Sequence, residues 1–589
     1  MTTWYPLVMG REAMVATEHY LSAAAGARIF AKGGNAIDAA VAATLVEGVV
    51  NPHMHTIGGE APMLIYAADA RRVIAINGNM TAPARATIAH YRGLGLKLVP
   101  GEGLLAAGVP AAFDALAVAL KTFGTMTLAE VAAPATALCA DGFPMHHGLA
   151  GDGETPKDLS GLIGHASIRA NAKKFRDQWP TSAALYMPGG EVPHTGQIVK
   201  NPALAKFFER LVEAEAAARN RGREAAIDAA RERFYRGDIA REIVAWSDAQ
   251  GGLLASGDLA AFTTRIESPV TADYRGVTVH KCGPWSQGPV FLQQLRLLEG
   301  FDLRAMGHNS ADYIHSLVEA AKLAFADREQ YYGDPEFTPV PIEGLLSARY
   351  TAIRRALIDP RRAALEQRPG DPINYRALLD RPAGEPRSWG PGTIHVTAAD
   401  GRGNLIAVTA SGGWIPSSPV IESLGFPLGS RMQTFYLDEA HANTLRPGKR
   451  PRTTLTPSIA TRDGEPWLAF GTPGGDQQDQ WTLQFFLNLI DFGMSVQEAI
   501  EAPRFSSAHF PSTFYPHNAR PGVLRLEERI DADVRAELAA RGHQVETRPP
   551  WCEGHVLGIR FDSARRLLEG GADPRGQMAV VMPAQAIGW

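Results

Sequence analysis

The sequence predicts an α+β protein, a layered sandwich in which helices cover antiparallel sheets. Two β-prone runs, 393–400 and 404–411, are separated only by the Gly-Arg-Gly at 401–403, which is a hairpin signal. A second candidate hairpin joins residues 62–66 to residues 73–76. Helical segments alternate with such paired strands rather than with single strands. This alternation favours antiparallel sheets covered by helices over a doubly wound parallel sheet.

The helices are predicted from composition and periodicity. An Ala-rich segment at 36–46 carries small residues on every side, as expected of a helix buried against sheets. Helices are also predicted for most of the segments 112–140, 200–248, 308–332, 482–502 and 528–542. A final strand is predicted at 556–561. The segments 150–200 and 337–392 are rich in Gly, Pro and polar or Arg residues. They predict a loop-rich excursion and an exposed linker, respectively.

Composition argues against several classes of function. The chain has 589 residues, 45% hydrophobic and 20% charged, which is ordinary for a globular protein. A net charge of −4 gives no support for a nucleic-acid partner. The first residues lack a signal-peptide pattern and no run of about 18 apolar residues exists, which predicts a cytoplasmic protein without a membrane span.

Metal and cofactor sites are not indicated either. The cysteines Cys139, Cys282 and Cys552 are few and far apart, which argues against a disulfide framework or a zinc site. No His, Asp or Glu cluster has metal-ligand spacing, and no phosphate-binding glycine motif follows a strand. We therefore expect no metal and no organic cofactor.

The register of the first hairpin places two hydroxyl groups together. If Asp400 pairs with Asn404, each later pair keeps the same sum of residue numbers, so Thr393 lies opposite Ser411. Cleavage of the Gly392–Thr393 bond would free the Thr393 amine to act as the base for its own hydroxyl. This is the arrangement of an N-terminal nucleophile. On this stretch alone, an ordinary hairpin without chemistry is the alternative.

Several blocks resemble those of the γ-glutamyltransferase family of N-terminal-nucleophile hydrolases, in the same order along the chain. They are Gly33 to Ala42, Asn51 to Gly59, Asp258 to Phe262, Glu319 to Pro335, Thr393 to His395, Gly471 to Gly475, and Asp573 to Arg575. The resemblance implies a four-layer αββα sandwich. It also implies self-cleavage of a single interleaved domain, 1–589, into a large subunit, 1–392, and a small subunit, 393–589. The two would stay associated, and a homo-oligomer is left open.

The resemblance also assigns catalytic roles. It makes Thr393 the nucleophile, with its hydroxyl supported by Ser411. The backbone N–H groups of Gly474 and Gly475 would stabilise the developing oxyanion, because glycine lets the backbone approach the substrate closely. Thr453 and Thr454 stand where relatives have a serine pair that binds a substrate carboxylate. For His395 and Thr409 we expect structural roles.

The charged groups that hold a glutamyl substrate in the family are missing. Asn79 stands at the place of the family's arginine, Gln433 and its neighbours at the place of its acidic block, and Gly413 at the place of an asparagine. Asn79 cannot form a bidentate charged pair with a carboxylate. The sequence therefore favours hydrolysis of an amide without a glutamyl group.

Other polar residues are candidates for replacement contacts with the substrate. The candidates are Asn79, Arg431, Gln433, Arg452, Thr453, Thr454 and Asp476. For Asp476 the alternative is a cap on the helix that begins near Gln478. Lys449 is expected to be a solvated loop charge, and Arg450 is either that or a carboxylate contact.

The predicted function is thus a self-processing amide hydrolase or acyltransferase. It would act through an acyl-enzyme on a small amide, with a carboxylate on the substrate left open. Two alternatives stay open. One is a true γ-glutamyl hydrolase or transpeptidase acting on glutathione-like compounds with a different set of contacts. The other is an uncleaved, non-catalytic homologue that binds ligands.

Overall fold

Two seven-stranded sheets form the centre of the molecule. The computed structural model describes residues 3–152, 166–379, 392–575 and 582–589. Residues 153–165 of the predicted loop excursion, and residues 380–391 of the predicted linker, lie outside the described residues. Among the described residues, no helix is both long and apolar enough to span a bilayer.

The first sheet contains the predicted nucleophile and is called here the Thr393 sheet. Its strands, in spatial order, are Gln585–Gly588, Ala13–Thr17, Thr393–Asp400, Leu405–Ser411, Met63–Ala67, Arg72–Asn77 and Arg265–Glu267. All neighbours are antiparallel. Thr393 lies opposite Ser411, so the predicted register is confirmed. The second predicted hairpin is confirmed as well.

The second sheet contains the glycine-rich turn and is called here the Gly471 sheet. Its strands, in spatial order, are Val8–Gly10, Leu567–Gly571, Leu557–Asp562, Glu465–Gly471, Ser458–Arg462, Val277–Lys281 and Val270–Tyr274. All neighbours here are antiparallel too. The strand predicted at 556–561 is present, and two later strands that were not predicted follow it.

The two sheets pack face to face through a layer of buried side chains. Leu64 and Leu405 of the Thr393 sheet share this layer with Ile459 and Ile559 of the Gly471 sheet. Near one end of the layer the ring of His395 lies against Gly471, where an added Cβ would overlap it. Glycine at 471 therefore lets the ends of the two central strands come close together.

One layer of helices covers the outer face of the Thr393 sheet. Its main helices are Tyr20–Ala31, Ala36–Val50, Ala112–Phe123, Leu128–Asp141, Pro202–Ala218, Arg223–Tyr235 and Asp238–Ala249. Every residue of Ala36–Val50 is buried, as the Ala-rich sequence predicts. Asn35 and Asp38 form a capping box at its start, so the backbone N–H groups there are satisfied.

A second helical layer covers the Gly471 sheet. Its main helices are Pro289–Leu298, Ala311–Tyr331, Ala348–Arg355, Gln478–Ile490, Val496–Glu501 and Ala532–Ala540. The four layers together form the predicted α+β sandwich.

Shorter elements complete the described part of the chain. The remaining α-helices are Ile88–Gly93, His147–Ala150, Ile168–Gln178, Pro180–Tyr186, Ser256–Ala261, Leu303–Met306 and Ile342–Leu346. The 3-10 helices are Leu104–Ala106, Pro188–Gly190, Arg219–Arg221, Arg431–Thr434 and Gly475–Gln477. Minor sheets pair Phe143–Pro144 with Ile198–Val199, Val420–Ile421 with Phe426–Pro427, and Phe505–Ser507 with Val523–Glu527 and Gln544–Arg548.

The prediction of an exposed linker from 337 to 392 is wrong for part of its length. Ile342–Leu346 and Ala348–Arg355 are helices, and Arg354 is buried. The Arg354 guanidinium pairs with Asp327 and donates to the carbonyl of Ala377 at 2.6 Å. An Arg-rich composition is typical of an exposed linker, but here Arg354 is buried and stabilises the fold.

Candidate active site

Thr393 and Ser411 meet at the start of the central hairpin, together with the carbonyl of Gly392. The Thr393 hydroxyl donates to Ser411 Oγ at 3.3 Å, and Ser411 Oγ donates to the Gly392 carbonyl oxygen at 2.7 Å. Both side chains are buried. The hairpin register thus brings the Thr393 hydroxyl, a second hydroxyl and the preceding peptide bond into one hydrogen-bonded group.

Gly392 is enclosed by the turn that precedes Gly58. A Cβ at Gly392 would lie 2.6 Å from Met54 Sδ and 2.8 Å from the carbonyl oxygen of His53. A larger residue would therefore push the Gly392–Thr393 bond away from this turn. The carbonyl of Gly392 accepts a second hydrogen bond, from Nε1 of Trp414.

His395 follows Thr393 by two residues and lies between the sheets. Its Nδ1 is 3.0 Å from Thr409 Oγ1, and its Nε2 is 2.7 Å from Thr397 Oγ1. Burial lowers the pKa of His395 to about 3, with a further contribution from Lys281, so the ring is neutral near pH 7. Its contacts are with two strand threonines, which fits the structural role expected for it.

The glycine turn Gly471 to Gly475 leads out of the second sheet beside His395. Gly474 and Gly475 have φ angles of 126° and 58°, which favour glycine. A Cβ on Gly474 would overlap the ring of Trp481, and one on Gly475 would lie 3.1 Å from Phe514. No acceptor for their backbone N–H groups is found in the part of the chain that the structure describes. These N–H groups are therefore available to an oxyanion.

A buried arginine lies near both this turn and the Thr393–Ser411 pair. The guanidinium of Arg431 is 5.1 Å from the ring centre of Trp414 and 5.3 Å from that of Phe514. Its Nε forms an ion pair with Glu60. Its Nη1 and Nη2 have no hydrogen-bond partner among the described residues, although the side chain is fully buried. An arginine has five donors in a planar fork, so Arg431 offers two unpaired nitrogens.

Glu60 connects Arg431 to the hairpin that carries Thr393 and Ser411. The backbone of Glu60 pairs with Ser411, through hydrogen bonds of 2.8 and 2.9 Å. Its Oε1 accepts from Thr453 Oγ1 at 3.2 Å, and its Oε2 has no partner among the described residues. Burial raises the pKa of Glu60, against the opposing effect of Arg431. Thr453, Glu60, Arg431 and Ser411 therefore form one polar cluster.

The other charged candidates are held by the protein itself. The terminal nitrogens of Arg452 donate to Glu329 at 2.7 Å and to the carbonyl of Arg328 at 3.2 Å. Asp476 pairs with Arg328 and accepts from Thr513 Oγ1 at 2.6 Å. Asp476 therefore ties the glycine turn to the loop that carries Phe514. Its side chain does not cap the helix Gln478–Ile490.

The uncharged candidates line the same region. Asn79 Nδ2 donates to the carbonyl of Pro451 at 2.6 Å, and its Oδ1 has no partner among the described residues. Gln433 Nε2 donates to the carbonyl of Gly101 at 2.9 Å. Thr454 Oγ1 is buried and also lacks a partner in the described parts of the chain. Asn79 and Thr454 thus keep a free acceptor or hydroxyl.

Two basic residues before Thr453 lie inside the protein, contrary to the expectation for Lys449. Lys449 is buried, and its Nζ donates to the carbonyl of Ala442 at 2.8 Å. Arg450 is buried as well and donates to the carbonyls of Asn79 and Thr263 at 3.2 and 2.8 Å. They fix the approach to Thr453 by satisfying backbone carbonyls, so the solvated-charge interpretation is wrong.

One group of side chains has the spacing of a metal site. Ligand atoms of His315, Glu319 and His543 lie within 4.8 Å of one another in the helical layer over the Gly471 sheet. Glu319 is already paired with Lys322 at 2.7 Å and with Arg368 at 2.8 Å. These two cations compensate the carboxylate and repel a metal ion, so the cluster is a poor metal site.

Three site residues were missed from the sequence. Glu60 follows the recognised Gly58-Gly59 turn, and Trp414 follows Ser411 by three residues, so proximity along the chain could have indicated both. Phe514 comes from a loop far away in sequence, and no local pattern marks it. The arrangement as a whole joins a buried threonine hydroxyl, backbone donors without acceptors among the described residues, and an arginine whose two terminal nitrogens have no partner there. A hydroxyl and backbone donors are the parts that acyl transfer from an amide requires.

Relatives with known names match the chain over its full length. The chain is 32% identical to a protein named glutathione hydrolase-like YwrD proenzyme, from Bacillus subtilis strain 168, over 98% of this chain and 99% of the relative. The solved structure titled LmbA2991HD is 42% identical and covers all of both chains, with a TM-score of 0.91. Cephalosporin acylase from Bacillus halodurans is 28% identical, covering 100% of this chain and 98% of that one, with a TM-score of 0.84.

The fold and these matches define an enzyme of amide bonds, an amide hydrolase or acyltransferase built on the N-terminal-nucleophile sandwich. The family model described as gamma-glutamyltranspeptidase matches residues 22–582. The chain therefore belongs to the gamma-glutamyltranspeptidase family.

Proposed function

We propose that the protein cleaves itself before Thr393 and then hydrolyses amides with Thr393 as an N-terminal nucleophile. The observation that carries the proposal is the hydrogen-bonded chain from Thr393 Oγ through Ser411 Oγ to the Gly392 carbonyl. The same hydroxyl that attacks Gly392 in the precursor attacks the substrate afterwards. Its new α-amine then serves as the base.

The oxyanion of the substrate reaction is assigned to the glycine turn. Gly474 and Gly475 keep their N–H groups free, and their positive φ angles aim the backbone in a way that other residues rarely adopt. One such donor is typically worth about 2.7–4 kcal/mol of barrier. No metal or cofactor enters this mechanism.

The two cleavage products would stay associated as one interleaved domain. The strand Thr393–Asp400 begins the small product and pairs on one side with Ala13–Thr17 of the large product. The next strand of the small product, Leu405–Ser411, pairs with Met63–Ala67 of the large one. Separation would therefore break backbone hydrogen bonds in the middle of the Thr393 sheet.

The proposed substrate is a small amide whose acyl group ends in a carboxylate. Support comes from Arg431, whose buried Nη1 and Nη2 have no partner among the described residues and match the two oxygens of a carboxylate. The Trp414 and Phe514 rings beside it exclude water, which strengthens this contact. A dicarboxylic acid monoamide is the simplest compound of this class, in line with the acylase among the relatives.

A γ-glutamyl substrate is the second candidate, because Glu60 also has a free oxygen. Glu60 Oε2 has no partner among the described residues and lies beside the Arg431 fork. Together the two could take the carboxylate and the ammonium of a glutamyl group. The relative named glutathione hydrolase-like fits this candidate.

A pair of chromogenic anilides separates the two substrates, because glutaryl and γ-glutamyl groups differ only by the α-amino group. We expect a higher kcat/KM for the glutaryl anilide. A preference for the γ-glutamyl anilide would select the second candidate.

Thr393→Ala tests the nucleophile with the same substrates. We expect a single chain of 63.3 kDa and no turnover of either anilide. Ser506→Ala is a control for loss of a buried hydroxyl outside the site, since Ser506 donates to Glu553. A Thr393→Ala protein that is cleaved or active would refute the proposed mechanism. A folded wild-type protein that never cleaves would favour the non-catalytic, ligand-binding homologue.

A further inference from the structure

The indole N–H of Trp414 contacts the peptide bond that the proposed self-cleavage breaks. Its Nε1 donates to the carbonyl oxygen of Gly392, the atom that becomes negative when Thr393 attacks the Gly392 carbon. Ser411 Oγ donates to the same oxygen at 2.7 Å. Two donors on one carbonyl oxygen are the arrangement of an oxyanion hole.

We propose that Trp414 and Ser411 form an oxyanion hole for self-cleavage, separate from the Gly474–Gly475 turn that serves the substrate. This inference rests on the proposed self-cleavage and adds a catalytic residue to it. The enzyme would thus use two sets of donors for its two acyl-transfer reactions.

The surroundings hold the indole N–H in place and strengthen it as a donor. Trp414 is fully buried, and the chain around it is fixed by hydrogen bonds from the Ile415 amide to Pro52 and from the Ser417 amide to Trp414. The Arg431 guanidinium lies over the indole ring, 5.1 Å from its centre. A cation over the ring draws electron density from the indole and makes its N–H a better donor.

The backbone before Trp414 explains why Gly413 stands where the family has asparagine. Gly412 and Gly413 have φ angles of 79° and 62°. A Cβ on Gly413 would overlap Thr56 Oγ1, and Thr56 donates to the Gly413 carbonyl at 2.7 Å. The left-handed turn that brings Trp414 to Gly392 therefore excludes a side chain at 413. Glycine at 413 and the approach of the Trp414 indole to Gly392 thus belong to one local backbone conformation.

The cleavage step balances as an acyl shift followed by hydrolysis. Thr393 Oγ adds to the Gly392 carbon, the carbon–nitrogen bond breaks, and the hydroxyl proton ends on the departing nitrogen of Thr393. Water then hydrolyses the ester, giving a Gly392 carboxylate and a Thr393 with free hydroxyl and amine. Trp414 and Ser411 would hold the oxygen of Gly392 while it carries negative charge.

The test measures the rate of cleavage. Trp414→Phe keeps an aromatic ring and loses the N–H, and the fraction of cleaved chain is followed over time on denaturing gels and by intact mass. We expect cleavage to slow about 100-fold or more, the typical effect of removing one oxyanion donor. The rate of cleavage itself is the readout, because the Trp414 ring also packs against Arg431 and its replacement can change turnover for that reason.

A matched control and an isosteric variant make the result decisive. Trp467→Phe removes an indole from the core of the other sheet and should cleave at the wild-type rate. Site-specific 3-benzothienylalanine at 414 replaces only the N–H by sulfur, so it tests the donor if Trp414→Phe fails to fold. Wild-type cleavage by the benzothienyl protein, or by a folded Trp414→Phe protein, would overturn the role of Trp414 and leave the nucleophile assignment intact. Loss of cleavage in Thr393→Ala concerns the proposed function alone.

Discussion

Arg431 and Arg452 are two fully buried arginines near the site, and they differ in how many partners they have. The terminal nitrogens of Arg452 donate to Glu329 and to the backbone of Arg328. Besides its contacts with two aromatic rings, Arg431 has the ion pair of its Nε with Glu60, and its terminal nitrogens have no hydrogen-bond partner among the described residues. Arg452 therefore stabilises the fold, whereas Arg431 leaves its two terminal nitrogens available to a ligand.

The comparison teaches that burial does not identify a binding residue, while unused donors do. Leaving a buried charged donor unpaired costs more than about 1–3 kcal/mol. Such a cost is expected where a ligand recovers it. The two arginines were equal candidates in the sequence because each lies next to a block altered relative to the family. Only the hydrogen-bond partners of each guanidinium in the structure distinguish the two arginines.

The largest expected effect is on turnover when Arg431 is changed. Arg431→Met in matured enzyme should lower kcat/KM for the glutaryl anilide at least about 100-fold, since two charge-assisted hydrogen bonds of about 1.5–3 kcal/mol each are lost. The valeryl anilide has a methyl group in place of the carboxylate of the glutaryl group. Its hydrolysis should change little. Equal losses on both substrates would mean that Arg431 acts on the fold and not on the carboxylate.

Arg452→Met should affect stability instead. Removing one partner of a buried pair leaves Glu329 less compensated, which typically costs about 3–5 kcal/mol. We expect a clear fall in Tm together with an unchanged ratio of glutaryl to valeryl hydrolysis at a temperature where the variant is folded. A change in that ratio would place Arg452 among the substrate contacts and break the comparison.

The smallest expected effect is a difference in pH dependence between the two carboxylates. Arg452 and Arg328 outweigh burial and hold the pKa of Glu329 well below its usual value. Its stabilisation is thus complete above about pH 4.5 and is lost as the pH falls through the folded-state pKa. Burial raises the pKa of Glu60, so between pH 4.5 and that raised value the folded protein takes up a proton and gains stability as the pH falls.

Glu329→Gln and Glu60→Gln measure this difference. Glu329→Gln should lower Tm near neutrality and flatten the loss of Tm in acid. Glu60→Gln should change Tm less near neutrality and remove the gain on mild acidification. Profiles of Tm against pH for both variants check this, and identical profiles would show that the two glutamates have equivalent surroundings.

The central features of the fold and site were predictable because they depend on short-range rules. A short turn fixes the register of a hairpin, and so Thr393 could be placed opposite Ser411 from residue numbers alone. The helix at 36–50 was predictable because small residues on all sides need close neighbours. Both predictions use only the local chain and the geometry of regular structure.

What could not be predicted depends on partners that are far apart in the chain. Phe514 reaches the site because Asp476 binds Thr513, a contact between loops that no local pattern encodes. Lys449 was expected to be solvated, yet its ammonium is held by the carbonyl of Ala442. Backbone carbonyls are present at every residue, so the sequence does not reveal which of them will satisfy a buried cation.

The order of strands in the Thr393 sheet also has a consequence in time. Ala13–Thr17 lies between Thr393–Asp400 and Gln585–Gly588, so segments from both ends of the described chain must assemble around the future cut. Ser411 lies opposite Thr393 only once that sheet exists. Under the proposed mechanism, cleavage therefore occurs only in chains that have completed folding. In a pulse-labelled culture, the uncut fraction would measure how much newly made protein has not yet reached its native topology.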